Sequence, residues 1–117
     1  FKDHTKQITL RVVQLVEELP NTQKAQLIGN QLLMSAASIG AHYRAACRRK
    51  SADGLVAKLV EVEDEAVKTL YWLEVLVELK IIEAEKLIKL NTDLDEIVDM
   101  AASSINALRN PKPRSVK

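Results

Sequence analysis

From Leu27 to Arg49 the chain reads LIGNQLLMSAASIGAHYRAACRR, a stretch with no proline and apolar character on more than one side. Wound as a helix at 100° per residue, it places Ile28, Leu32, Ile39, Tyr43 and Ala46 on one face, with Ala36 at the edge. That face is a core stripe. The opposite side carries Leu27, Leu33, Met34, Ala37, Gly40, Ala41 and Ala45, where a surface helix would show charge. Such a helix needs cover twice, once from its own bundle and once from a partner. Its small residues, Gly40 and the alanines, let a neighbouring backbone come close.

The segments on either side share this helical period. Ile8, Val12, Leu15 and Leu19 repeat at helical spacing from about His4, and Pro20 ends the run. Asn21 or Thr22 supplies an N-cap for the organising helix, which runs to about Arg49. Ser51 caps a third helix reaching about Leu79, with Asp53 in its first turn favoured by the helix dipole. Its core stripe is Leu55, Leu59, Val62, Ala66, Leu70, Leu73 and Val77. A second apolar stripe, Val56, Val60, Val67 and Tyr71, lies about a third of a turn away, and Trp72 also falls outside the core stripe. The fourth helix spans about Glu83 to Arg109, with Leu87, Leu90, Leu94, Ile97, Ala101, Ile105 and Leu108 inward. Asn91 and Thr92 are the weak point, since both compete for backbone hydrogen bonds.

Three glycines and three prolines in 117 residues favour long rods over turns. Four long helices with short connections pack with neighbours antiparallel. The expected fold is all-α: an antiparallel up-down-up-down four-helix bundle over residues 4–109, followed by a disordered basic tail at 110–117. Aromatic residues are 3 %, so the core is aliphatic. The single cysteine, Cys47, allows no internal disulfide and fits a reducing compartment. No apolar run is long enough to span a membrane and no signal peptide is visible, which leads to an expectation of a cytoplasmic protein.

Charge is unevenly spread. Residues 1–50 carry eight Lys or Arg against three Asp or Glu, and residues 51–110 carry six against thirteen. Two halves of opposite sign suit each other in packing. The cations Arg44, Arg48, Arg49 and Lys50 close the second helix, where the dipole favours them. The same cluster could contact nucleic-acid phosphates without reading sequence. Aromatics for base stacking are nearly absent, and Tyr43 reads as core.

A polar strip, Gln31, Ser35, Ser38 and His42, runs beside the core stripe of the second helix. In an antiparallel pair it would face Glu61 and Glu65 on the third. Those carboxylates either form an ordinary solvated face with Lys58 and Lys68 or join the strip in a hydrogen-bonded seam that sets helix register.

No catalytic constellation emerges. A di-metal bundle site wants Glu-x-x-His on facing helices, and neither His4 nor His42 follows a Glu by three residues. One cysteine and two distant histidines do not make a zinc site. There is no glycine-rich phosphate loop, and Cys47 points away from His42 around the helix. No cofactor or metal is expected.

The segments SIGAHYRAACRR, Ser38 to Arg49, and EDEAVKTLYWLEVL, Glu63 to Leu76, resemble a bacterial family of small four-helix-bundle proteins. Its members include proteins encoded in intervening sequences of large-subunit ribosomal RNA genes, and it is related to the accessory variability determinant of diversity-generating retroelements. The resemblance spans about Ile8 to Arg109. It implies an antiparallel bundle, a ring-shaped homopentamer and no known catalysis. The retroelement relative is a basic scaffold that binds a reverse transcriptase and nucleic acid. This chain departs from that pattern in its near-neutral bundle, in His42 where Asn is more usual, and in Val67 and Lys68 where acidic residues are expected.

The expected function is therefore a non-enzymatic, self-associating scaffold or binding module. Its interface would comprise Met34, Ala37, Ala41, Val56, Val60, Val67, Tyr71 and Trp72. The alternative is an accessory nucleic-acid-binding or reverse-transcriptase-associated protein working through Arg44, Arg48, Arg49 and Lys50.

Overall fold

Pro20 cannot continue a helix, and the chain turns there. The Thr22 side chain then accepts a hydrogen bond from the Ala25 backbone N–H at 3.2 Å, opening the next helix. The computed structural model describes residues 1–111. Four helices follow in order: α1 Lys2–Glu17, α2 Gln23–Cys47, α3 Ala52–Glu78 and α4 Ile88–Arg109. Each packs against its neighbours in chain order, and α1 closes the bundle against α4 along the sparsest of the four seams. The result is an antiparallel four-helix bundle of 62 × 24 × 20 Å.

Local chemistry sets each boundary. Ser51 accepts from Gly54 N–H at 3.0 Å and caps α3. At its other end α3 closes in a Schellman motif. Lys80 N–H bonds the Val77 carbonyl at 2.9 Å and Ile81 N–H the Leu76 carbonyl at 3.0 Å. That turn puts Lys80 at φ 60°, the left-handed region a glycine would occupy more comfortably. The fourth helix does not break at Asn91 and Thr92. Thr92 hydroxyl donates back to the Ile88 carbonyl at 2.9 Å, within the helix. The irregularity lies earlier, where a 3-10 turn Ala84–Leu87 leads into α4. The expected tail falls mostly outside the described residues, at 112–117.

The main core draws on all four helices, with Ile8, Val12, Leu32, Ile39, Leu73, Leu76, Leu94 and Ile97 essentially inaccessible. A smaller cluster of Ala46, Val56, Leu59 and Ile105 sits toward one end. The inward faces match the helical spacing with some rotation on α3. Leu55, Leu70 and Val77 are half-buried, while Val56, Thr69 and Leu76 are buried. The close approach expected of α2 is present. Thr9 on α1 brings its hydroxyl within 3.2 Å of the Ala36 carbonyl on α2. A Cβ at Gly29 would lie 2.8 Å from Leu19 Cδ1.

Candidate interaction surfaces

Two outward stripes remain once the bundle is assembled. On α2 the exposed residues Leu27, Asn30, Met34, Ala37, Ala41, Arg44 and Arg48 follow one another at alternating spacings of three and four. On α3 the corresponding run is Ala57, Val60, Asp64, Val67, Tyr71, Glu74 and Glu78, all exposed except the half-buried Val60. That spacing holds a line of side chains along one side of a helix and is the pattern by which helices pack on other helices. Leu27, Met34, Val67 and Tyr71 are 63, 65, 51 and 56 % exposed, large apolar groups left in water. The α2 stripe ends in two arginines, and the α3 stripe carries three carboxylates.

Two members of the expected interface stand apart. Val56 is spent inside the protomer, in the small cluster with Ala46, Leu59 and Ile105. The inward face of α3 runs through Val56, Thr69 and Leu76 rather than Leu55, Leu70 and Val77, and this offset takes Val56 out of the outer stripe. Trp72 is half-buried against the main core, with its ring edge-on to Tyr71 at a centroid distance of 5.1 Å. The sequence spacing missed this because a wide ring at the flank of a core stripe reaches inward further than its Cα position suggests. Met34, Ala37, Ala41, Val67 and Tyr71 are exposed.

Between α2 and α3 the polar strip is bonded across at two points. His42 Nδ1 lies 3.0 Å from Glu61 Oε2. Lys58 donates to the same oxygen from one turn away at 2.9 Å. The Lys58 hydrogen bond, with His42 and Arg49 adding positive charge, holds the Glu61 carboxyl below its ordinary value. Deeper in, Ser35 donates to the Leu32 carbonyl at 3.0 Å, and its oxygen sits 2.9 Å from the Thr69 hydroxyl. Ser35 and Thr69 are both buried, so this hydroxyl pair replaces the water each would otherwise hold. The remaining members do not cross. Ser38 bonds its own helix at Met34, Glu65 pairs with Lys68 at 2.9 Å, and Gln31 is exposed. Sequence spacing alone did not single out Thr69; a threonine at the core angle of a helix facing a serine strip was the available signal.

The basic end of α2 is open. Arg44, Arg48, Arg49 and Lys50 are exposed, and among the described residues none lies within 4 Å of a carboxylate. Arg44 shares a shallow groove with Lys6, Leu10 and Ala41, and Arg44, Arg48 and Arg49 line a second depression beside Ala45. Cys47 is an exposed thiol next to Tyr43, whose phenol burial and the cysteine together push up from its ordinary value.

No helix among the described residues is long and apolar enough to cross a membrane. None of the curated proteins matches the chain. A solved structure from Bacteroides thetaiotaomicron, a protein of unknown function from the S23 ribosomal protein family, superposes with a TM-score of 0.82 at 36 % identity, covering 89 % of this chain and 96 % of that one. The model of the 23S rRNA-intervening sequence proteins matches residues 2–103. Neither description carries a catalytic activity. With the family model matching residues 2–103, most of the bundle, the chain belongs to the 23S rRNA-intervening sequence protein family.

Proposed function

We propose that this protein is a scaffold that works by binding copies of itself, the outer stripe of α2 in one copy seating on the outer stripe of α3 in the next. The observation that carries this reading is the exposure of Met34, Val67 and Tyr71 on regular three-four stripes of two different helices. Unlike surfaces on one subunit pair head to tail, and such contacts close into rings when the rotation permits. The homopentamer implied by the family resemblance is one such ring. Arg44 and Arg48 on one stripe and Asp64, Glu74 and Glu78 on the other give opposite signs to the two faces.

Native mass spectrometry tests it directly. The wild type forms a discrete oligomer at micromolar concentration, and Met34→Glu and Tyr71→Glu each yield monomer. Mixing the two variants restores a one-to-one dimer, because each retains the face the other lacks. A monomeric wild type, or a mixture that stays monomeric, ends the proposal.

A second reading rests on the unpaired cations at the end of α2. There the protein is an accessory factor contacting nucleic-acid phosphates, alone or beside a reverse transcriptase. It competes with the first reading for Arg44 and Arg48. Fluorescence anisotropy with single-stranded and duplex RNA measures it. Affinity that falls with salt and weakens in an Arg48→Ala, Arg49→Ala variant supports it, and no binding at low salt removes it.

A further inference from the structure

The seam between α1 and α4 holds one polar atom that nothing else explains. His4 Nε2, on the first turn of α1, is shut off from solvent and has no hydrogen-bond partner. Glu96 Oε2 on α4 lies 3.7 Å away. Asp93 stands one turn from Glu96 on the same face of α4, and ligand atoms of all three residues lie within 4.8 Å of one another. Two donors on one zinc, each bonded at roughly 2.0–2.2 Å, stand at most about 4 Å apart. The cluster is therefore a small side-chain adjustment from a coordination sphere. The Glu96 side chain is 57 % exposed and His4 29 %, so both have room to make it.

We infer that His4, Asp93 and Glu96 bind a first-row divalent cation, with water in the fourth position, tying the first turn of α1 to α4. One imidazole and two carboxylates suit Zn²⁺ or Mn²⁺ better than Mg²⁺ or Ca²⁺, which favour all-oxygen surroundings. Asp93 already accepts from Arg11 and from Lys89. A carboxylate offers about four acceptor positions, so two remain, and ligating carboxylates are commonly held by such outer donors. The Arg11 charge opposes the cation and sets a moderate affinity. Lys89, whose side chain is 78 % exposed, can swing away. No pairing of histidine with a carboxylate motif in the sequence announces the site, because its ligands lie about ninety residues apart and meet only through the antiparallel α1–α4 contact.

The experiment uses the full chain carrying Cys47→Ser, which removes the exposed thiol as a rival zinc ligand. Isothermal titration at pH 7.5 with Zn²⁺ and, separately, Mg²⁺ is paired with thermal melts. The expected result is one Zn²⁺ per chain, no comparable Mg²⁺ binding, and a melting temperature raised by about 10 °C at a hundredfold excess over Kd. His4→Ala and Glu96→Gln weaken binding at least about tenfold. Both leave the helical circular dichroism of the metal-free protein intact, since both side chains are at the surface of the seam. Co²⁺ substitution gives visible d–d bands without a thiolate charge-transfer band. Absence of saturable Zn²⁺ binding, equal Mg²⁺ binding, or undiminished affinity in His4→Ala overturns the inference.

Discussion

Arg11 on α1 reaches across the bundle to Asp93 on α4, a carboxylate only 2 % exposed and held from its own helix by Lys89 at 3.0 Å. It is the strongest polar tie along a seam that otherwise has few contacts. Removing one member of a pair like this strands the other, whereas replacing both with apolar groups of similar size does not. Arg11→Met is expected to cost about 2–3 kcal/mol, and the double variant Arg11→Met, Asp93→Leu to recover most of that loss. Urea denaturation followed by circular dichroism gives both numbers; a double variant as unstable as the single would contradict the argument.

The same carboxylate makes stability depend on acid. Burial pushes the Asp93 carboxyl up, and the hydrogen bonds from Lys89 and Arg11 together outweigh that, leaving it below the ordinary aspartate value of 3.8. Glu61 is likewise held below its ordinary 4.5, chiefly by Lys58. A carboxyl depressed on folding stabilises the native state above its unfolded pKa, and that contribution disappears as pH falls through the lower folded value. The urea midpoint should therefore hold from neutrality to near pH 4.5 and then decline progressively below it. In Asp93→Asn the decline below pH 3.8 should be shallower; an unchanged slope would show that the pair contributes nothing.

Two glycines on α2 face α1 with different amounts of room. A Cβ at Gly40 would sit 3.6 Å from Thr5 Oγ1, an ordinary contact, so Gly40→Ala should stabilise by about 0.5–1 kcal/mol through helix propensity. At Gly29 the same methyl meets Leu19 Cδ1 at 2.8 Å and Val16 Cγ1 at 3.3 Å. Leu19 can rotate but not freely, being 8 % exposed. Gly29→Ala should fall short of Gly40→Ala by about 1 kcal/mol. Thermal melts of the two variants side by side decide it.

Lys80 holds a left-handed conformation that its Cβ disfavours by about 1 kcal/mol. Lys80→Gly should raise stability by roughly 0.5–1 kcal/mol despite the added freedom of the unfolded chain. A loss of stability would mean that the exposed lysine side chain contributes something its geometry does not reveal.

The buried hydroxyl pair offers a test of how α2 and α3 keep register. Thr69→Val preserves shape and leaves Ser35 bonded to the Leu32 carbonyl, so a cost of about 1 kcal/mol is expected. Ser35→Val, which adds bulk at a 2 % exposed position, should cost more.

Much of this architecture could be read from spacing alone. Ile8, Val12, Leu32, Ile39, Leu94 and Ile97 recur at helical intervals, Pro20 interrupts them, and Thr22 and Ser51 stand where caps belong. These are local rules, satisfied by residues within a turn or two of one another, so a linear reading reaches them. The apolar outer sides of α2 and α3 were legible for the same reason. Side-chain reach and pairing were not. Val56 is buried and Trp72 partly so because burial depends on how α3 sits against its neighbours and on how far a wide ring reaches, which no single helix records. Arg11 met Asp93, Ser35 met Thr69, and His4 came beside Asp93 and Glu96 across gaps of tens of residues. Such meetings depend on which helices neighbour each other and on how far one slides along the next, quantities set by packing of the whole core. The sequence by itself determined four amphipathic rods and their order; the tertiary structure decided which polar groups face one another and which apolar ones are left in water.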